Sequence, residues 1–290
     1  MRMLTTGKQF EHVTSQVFAF ALLAFSTACG GGGSSPVTQP SAPPASATPD
    51  KRADYLVSQM TLDEKLQLVH GGAGPTWWNQ TLPRGAGGWI PGIPRLNIPD
   101  LYFADGSVGV GSGAGPATAL PSSIASAASW DLNEAVKYGQ VIGAEMRAFG
   151  INVNLGGNIN LVGREPRDGR TFETKGEDPL LAGKITAAHL RAIQSQYVIA
   201  GTKHFGLNDQ ETGRATANVI IDDRSARESD LLAFEVGIKD SNVQSVMCAY
   251  NLVNATWGCE NSLSAKHSSQ NRLEFSRLCH VRLGWHSQHD

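Results

Sequence analysis

The sequence has little charge, few aromatic residues and no long run of either basic or apolar side chains. Charged residues make up 17% of its 290 positions, and 24 Lys and Arg against 26 Asp and Glu leave a formal net charge of −2. No basic stretch of the kind that tracks a phosphate backbone occurs, which argues against a nucleic-acid partner. Aromatics are 7% and there are four cysteines, too few for a fold held by dense cross-links. What is abundant is glycine, at 32 residues, within a chain that is 41% hydrophobic. That balance suits a loop-rich globular protein of one or two domains.

The N-terminus has the parts of an export signal. Arg2 and Lys8 precede the apolar run "VFAFALLAF", residues 17–25, which is too short to span a bilayer. It ends in "STAC". Small residues before Cys29 resemble a bacterial lipoprotein signal, in which that Cys becomes the lipidated first residue; Ser26 stands where Leu is usual, and an ordinary cleavable signal is the alternative. Either reading places 1–28 in a secretion signal and the protein outside the cytoplasm, in a bacterial periplasm, free or membrane-attached through Cys29. Residues 29–49 continue as "CGGGGSSPVTQPSAPPASATP", whose composition cannot bury a core and reads as a tether. The folded part is expected from Asp50.

Beyond it, helical and strand-like segments alternate. Thr61 with Glu64 forms a capping-box signature at the start of "TLDEKLQLV". Asp131 with Glu134 repeats it before "LNEAVKYGQVIGAEMRAF", where Leu132, Ala135, Val136, Ile142 and Met146 make an apolar stripe and Gly150 is the stop. "DPLLAGKITAAHLRAIQS" and "RSARESDLLAFEVGIKDS" predict two further helices. Between them lie the apolar runs 101–106, 151–156, 198–205 and 243–251, expected as parallel strands of βα units. Three of the four end in polar residues: Asp105, Lys203 with His204, and Tyr250 with Asn251. In a (β/α)8 barrel those ends carry the active site. A doubly wound dinucleotide fold is disfavoured, since the glycine-rich stretch 109–115 is followed directly by no long apolar helix and reads as a loop.

Three clusters carry chemistry: "DGSVG" at 105–109, "GREPRDGRTFETKGEDP" at 163–179, and "GTKHFGLNDQETGR" at 201–214. A carboxylate beside Arg, Lys and His suits sugar hydroxyls, because Asp accepts from two donors while the cations donate to neighbouring oxygens. The bland alternative is a solvated network of Arg164, Arg167 and Arg170 with Glu165, Asp168 and Glu173. His70 and His189 stand outside any pattern and read as structural. Cys248 and Cys259 are both able to pair in an oxidising compartment, and spacing alone leaves that pairing open.

From about Leu56 to Ser262 the chain resembles glycoside hydrolase family 3, the β-glucosidase and exo-β-glucanase family. The ordered motifs "GIPRLNIPDLYFADG", "GRTFETKGEDPLLAG", "KHFGLNDQETGR" and "MCAYNLVNATWGCENS" carry the resemblance. It implies an α/β chain with the N-terminal part of a (β/α)8 TIM-type barrel at 50–262, lacking the C-terminal strands and a second α/β domain. It implies that Asp105 binds two hydroxyls of a glucosyl unit, that Arg170, Lys203 and His204 complete the pocket, and that Leu155, Met247 and Tyr250 line it. It implies a Cys248–Cys259 disulfide, a β-glucoside or β-glucan oligosaccharide as substrate, and no metal or organic cofactor. "KHFGLNDQ" lacks the "KHFPGHG" form of the family's N-acetylglucosaminidase branch.

The family's nucleophile is an Asp in a motif like "GFVMSDWG" soon after "CENS", and no such Asp follows Ser262. Instead the chain runs to "CHVRLGW" at 279–285. If these seven residues are encoded TGT CAT GTC CGA CTG GGG TGG, one permitted choice, dropping the first base gives Val-Met-Ser-Asp-Trp-Gly. Permitted codons back to Leu263 extend this to "FLLSTLLKTDWNFPGFVMSDWGG". Residues 263–290 are therefore expected to be out-of-frame translation, with no catalytic residue retained. The metal reading of Cys279, His280, His286 and His289 is set aside, as their spacing fits no standard zinc pattern.

Overall fold

The computed structural model describes residues 42–70, 82–111, 115–162 and 165–261, together with the backbone of a strand at 278–280. The signal, Cys29, most of the tether, Arg164 and the rest of the tail lie outside the described residues.

In chain order the helices are α1 (Pro49–Gln59), α2 (Leu62–His70), α3 (Ser123–Ala128), α4 (Leu132–Phe149), α5 (Pro179–Gln194), α6 (Asp223–Glu228) and α7 (Asp230–Ser241). The strands are β1 (Gly88–Ile90), β2 (Leu101–Ala104), β3 (Val153–Asn154), β4 (Ile199–Phe205), β5 (Asn218–Val219), β6 (Ser245–Cys248), β7 (Leu252–Val253), β8 (Thr256–Trp257) and β9 (Leu278–His280). One sheet has the order β1-β2-β3-β4-β6-β9. From β2 to β9 every pairing is parallel, while β1 is antiparallel to β2. Helices separate β2 from β3, β3 from β4 and β4 from β6. Such a sheet is buried on both faces, which is why β4 buries six successive residues without alternation. The result is an α/β curled sheet forming part of a (β/α) barrel.

Local signals hold where caps decide. Thr61 and Glu64 exchange backbone–side-chain hydrogen bonds at 2.8 and 3.3 Å. Asp178 accepts from Leu181 N at 2.6 Å, and Gly150 ends α4 at φ 72°. Two expectations need correction. Asp131 accepts from Asn133 N at 2.7 Å, but Glu134 pairs with Lys137 at 2.6 Å. The stretch 224–241 is also not one helix: Ser229 (φ −120°, ψ −102°) divides α6 from α7, its hydroxyl donating to Ser225 O at 2.6 Å. A serine that bonds back to the preceding turn competes with helix continuation.

The core lies between the sheet and α4, α5 and α7. The α4 face is Ala135, Tyr138, Gly139, Ile142, Gly143 and Met146; Leu132 is 46% exposed and outside it. Gly139 sets the approach of α5, since a Cβ there would lie 2.3 Å from His189 O. His189 is structural, stacked on Tyr138 at 4.6 Å and hydrogen-bonded to Ser126 Oγ at 3.2 Å. Among the described residues no helix is long and apolar enough to cross a membrane.

Candidate active site

Parallel strands bring their C-terminal ends to one rim, so residues far apart in sequence meet there. Asp105 follows β2, Leu155 follows β3, Lys203 and His204 end β4, and Tyr250 follows β6. Arg170 enters from the loop after β3, at the start of a short 3-10 turn, Thr171–Glu173. The sharp exit from β2 needs small neighbours. A Cβ on Gly106 would meet Asn154 Nδ2 at 2.4 Å, and one on Gly111 would press on Asp105 Cβ at 3.2 Å.

Lys203 Nζ donates to Asp105 Oδ1 at 2.7 Å. The pair is asymmetric: the lysine side chain is 4% exposed, the aspartate 67%. The cation is thus held in the wall while the carboxylate faces outward. Asn160 fixes the peptide of His204 from both sides, accepting from its N–H at 2.8 Å and donating to its carbonyl at 3.1 Å. Arg170 Nη1 lies 3.1 Å from His204 Nε2. A guanidinium only donates, so Nε2 accepts and the imidazole is neutral with its proton on Nδ1. Burial pushes the His204 pKa well below its ordinary value, and Lys203, Arg170 and Arg214 push the same way.

Two carboxylates flank Arg170. Glu173 Oε2 accepts from Nη2 at 2.7 Å and from Ser107 Oγ at 3.1 Å. Glu211 Oε1 stands 3.5 Å from Nη1, and its other oxygen takes Arg214 at 2.7 Å. The Arg214 guanidinium lies 5.2 Å from the centroid of the Tyr250 ring. Beneath this layer Lys175 is fully buried, with Nζ toward Glu173 O at 3.2 Å and Asn158 O at 3.4 Å. Loss of hydration lowers its pKa to about 7; Glu173 opposes the shift and Lys203 adds to it. Burial likewise raises the carboxyl of Asp168.

Asp105, Arg170, Lys203, His204 and Tyr250 therefore join one connected rim. Met247, within β6, and Leu155 are both half-buried, and Leu155 N bonds Ala104 O at 2.8 Å. A disulfide links Cys248 and Cys259, with Cα atoms 5.3 Å apart, closing the loop that carries Tyr250. The solvated-network alternative describes Arg167, whose partner Glu165 lies at 2.8 Å on the surface, but not Arg170. Sequence reasoning assigned no role to Ser107, Asn160, Glu211 or Arg214. Glu211 and Arg214 stood in a quoted motif, but nothing in spacing announced that one carboxylate would bridge two arginines. Among the described residues no group of three or more His, Cys, Asp or Glu is placed to hold a metal ion.

A parallel barrel sheet with carboxylate, Arg, Lys and His gathered at the C-terminal strand ends is the arrangement of a βα-barrel enzyme. The profile described as "Glycosyl hydrolase family 3 N terminal domain" matches residues 93–271. Beta-glucosidase B of Emericella nidulans is 36% identical over 213 residues, covering 72% of this chain and 24% of that protein. Thermostable beta-glucosidase B of Acetivibrio thermocellus is 35% identical, covering 71% and 27%. Among solved structures, the β-glucosidase DesR from Streptomyces venezuelae in complex with D-glucose superposes with TM-score 0.71 at 35% identity, covering 79% of this chain and 28% of that one. Beta-glucosidase 3B from Thermotoga neapolitana in complex with α-D-glucose gives TM-score 0.73 at 32% identity, covering 79% and 33%. The chain belongs to glycoside hydrolase family 3. It spans about a quarter to a third of the length of these relatives.

Proposed function

We propose that the gene's parent product is an exported retaining β-glucosidase acting on terminal β-D-glucosyl residues of β-glucosides or β-glucan oligosaccharides. The observation that carries this is the strand-end cluster: outward-facing Asp105 held by Lys203, with Arg170 on His204 beside it. Asp105 would accept from two sugar hydroxyls, and the cations would donate to neighbouring oxygens. Retention requires a carboxylate nucleophile and a second carboxyl as acid/base, passing through a covalent glycosyl-enzyme. The nucleophile Asp is legible only in the other frame of the tail, so the 290-residue chain turns over no glucoside. Leu278–His280 pairs in parallel with β6, and codons permitted for these three residues include a set that reads Phe-Val-Met in the other frame.

Resequencing from the Ala255 codon to several hundred bases beyond the Asp290 codon tests this. A one-base break near the Ser262 codon, with the other frame running through Ser-Asp-Trp into a second domain, is the expected result. The frame-restored product should hydrolyse an aryl β-glucoside, with β-glucose as the first product by NMR. Wild-type-like turnover by the 290-residue chain would sink the inactivity claim. Within the pocket, Asp105→Asn should weaken D-glucose binding by about tenfold or more, the scale of losing a charged hydrogen bond of roughly 1.5–3 kcal/mol. Isothermal titration of the 290-residue chain reads it.

A second reading is a non-catalytic, lipid-anchored sugar-binding protein, favoured by the "STAC" signal followed by a Gly/Ser/Pro tether. An intact reading frame, with glucose bound and not turned over by a folded monomer, would select it.

A further inference from the structure

Glu211 and Arg214, both in the loop after β4, connect the loops after β3 and β6. Glu211 shares its two oxygens between Arg170 (3.5 Å) and Arg214 (2.7 Å) and accepts from Asn208 Nδ2 at 3.2 Å. Its backbone N–H also bonds Asp168 O at 3.0 Å, in the loop that carries Arg170. Arg214, three residues on, lies over the Tyr250 ring at 5.2 Å. Tyr250 sits in the loop closed by Cys248–Cys259. Along this path three loops, from β3, β4 and β6, are tied through one carboxylate. Glu211 and Arg214 are each half-buried, their side chains 20% and 36% exposed. Partial burial makes a charge pair resist solvent screening and hold its geometry better than an exposed one.

We propose that Glu211 and Arg214 are positioning residues: through a shared carboxylate and a cation–π contact they set Arg170 and Tyr250 relative to each other across the sugar site. Glu211 holds the Arg170 fork opposite Glu173, so Nη1 stays on His204 Nε2. Arg214 covers one face of Tyr250 and fixes the ring's tilt. An Arg-to-Lys change keeps the charge but loses the planar stack, so it should restore Arg170 better than Tyr250.

This rests on the sugar-site reading above, so the test uses two readouts. The full 290-residue chain is labelled with 3-fluorotyrosine, and the Tyr250 signal among its five tyrosines is assigned by Tyr250→Phe. D-glucose affinity is measured by isothermal titration, and melting is followed by circular dichroism. Arg214→Met is expected to shift the Tyr250 fluorine signal without glucose and to weaken glucose binding about tenfold, the melting midpoint staying close to wild type. Glu211→Gln should weaken glucose binding with a smaller change at Tyr250. Arg214→Lys should recover part of the affinity but not the ring signal. An unchanged Tyr250 signal and unchanged affinity in Arg214→Met would overturn the proposal. If the wild-type chain binds no glucose, the sugar-site reading fails, and the Tyr250 signal alone then decides whether Arg214 positions the ring.

Discussion

Helices α2 and α5 start from equally good local signals and end in opposite places. α2 has a reciprocal capping box, and the Arg95 guanidinium pairs with its Glu64 carboxylate, yet it buries no residue; Leu66 is 47% and Val69 80% exposed. α5 has a simpler cap at Asp178 and buries residues on most of its circumference, from Ala182 to Ile193. α5 lies between α4 and α7 and against the parallel sheet, with Gly139 and Gly183 allowing close backbone approach. Capping decides where a helix begins, but burial depends on having a partner layer on each side.

The largest expected break of this comparison is Phe234→Ala. Phe234 is fully buried on α7 and meets Phe205 edge-on at 5.0 Å, so its loss should cost about 3–5 kcal/mol by urea unfolding. Leu66→Ala on α2 should stay within about 0.5 kcal/mol of wild type. Equal losses would mean that α2 is packed against something in solution.

Next in size is the effect of pH at Lys175. Its folded pKa is about 7 against an ordinary 10.5. Below about pH 7 both folded and unfolded chains carry the proton, and the burial penalty is present in full. As pH rises toward 10.5 the unfolded chain holds more protons, so stability increases, on the order of a few kcal/mol across the window. The midpoint of wild type should therefore rise relative to that of Lys175→Met over this range. Parallel pH profiles for the two would show that Lys175 keeps its ordinary pKa in the fold.

The smallest effect belongs to the cap. Thr61→Ala should cost α2 about 1 kcal/mol. Since α2 buries nothing, the loss should appear as faster amide exchange within α2 and not as a lower global midpoint. A drop in that midpoint matching Phe234→Ala would tie α2 into the cooperative core.

Much of the site was readable because barrel chemistry sits where strands end. Asp105, Lys203, His204 and Tyr250 each close an apolar run, and a parallel sheet must bring such ends together. Arg170 was readable through its motif, though the loop from β3 that delivers it carries no periodicity. The small sheet β5-β7-β8 was not readable, since its strands are two residues each and pair across separate loops. Nor was the edge strand β1, whose antiparallel pairing to β2 comes from the turn through Pro94–Leu96, not from its own composition.

What the amino-acid order settled by itself was the alternation of helices and strands, the starts of α2, α4, α5 and α6 and the stop of α4 at Gly150, and the residue types at the strand ends. Those follow from short-range physics: caps, turns and apolar periodicity act within a few residues. Tertiary structure alone decided that α6 and α7 part at Ser229, that Arg167 faces solvent while Arg170 reaches His204, and that Glu211 serves two arginines. Those outcomes depend on which loops a curled sheet brings within hydrogen-bonding distance. That distance is a property of the whole fold, which no local window contains.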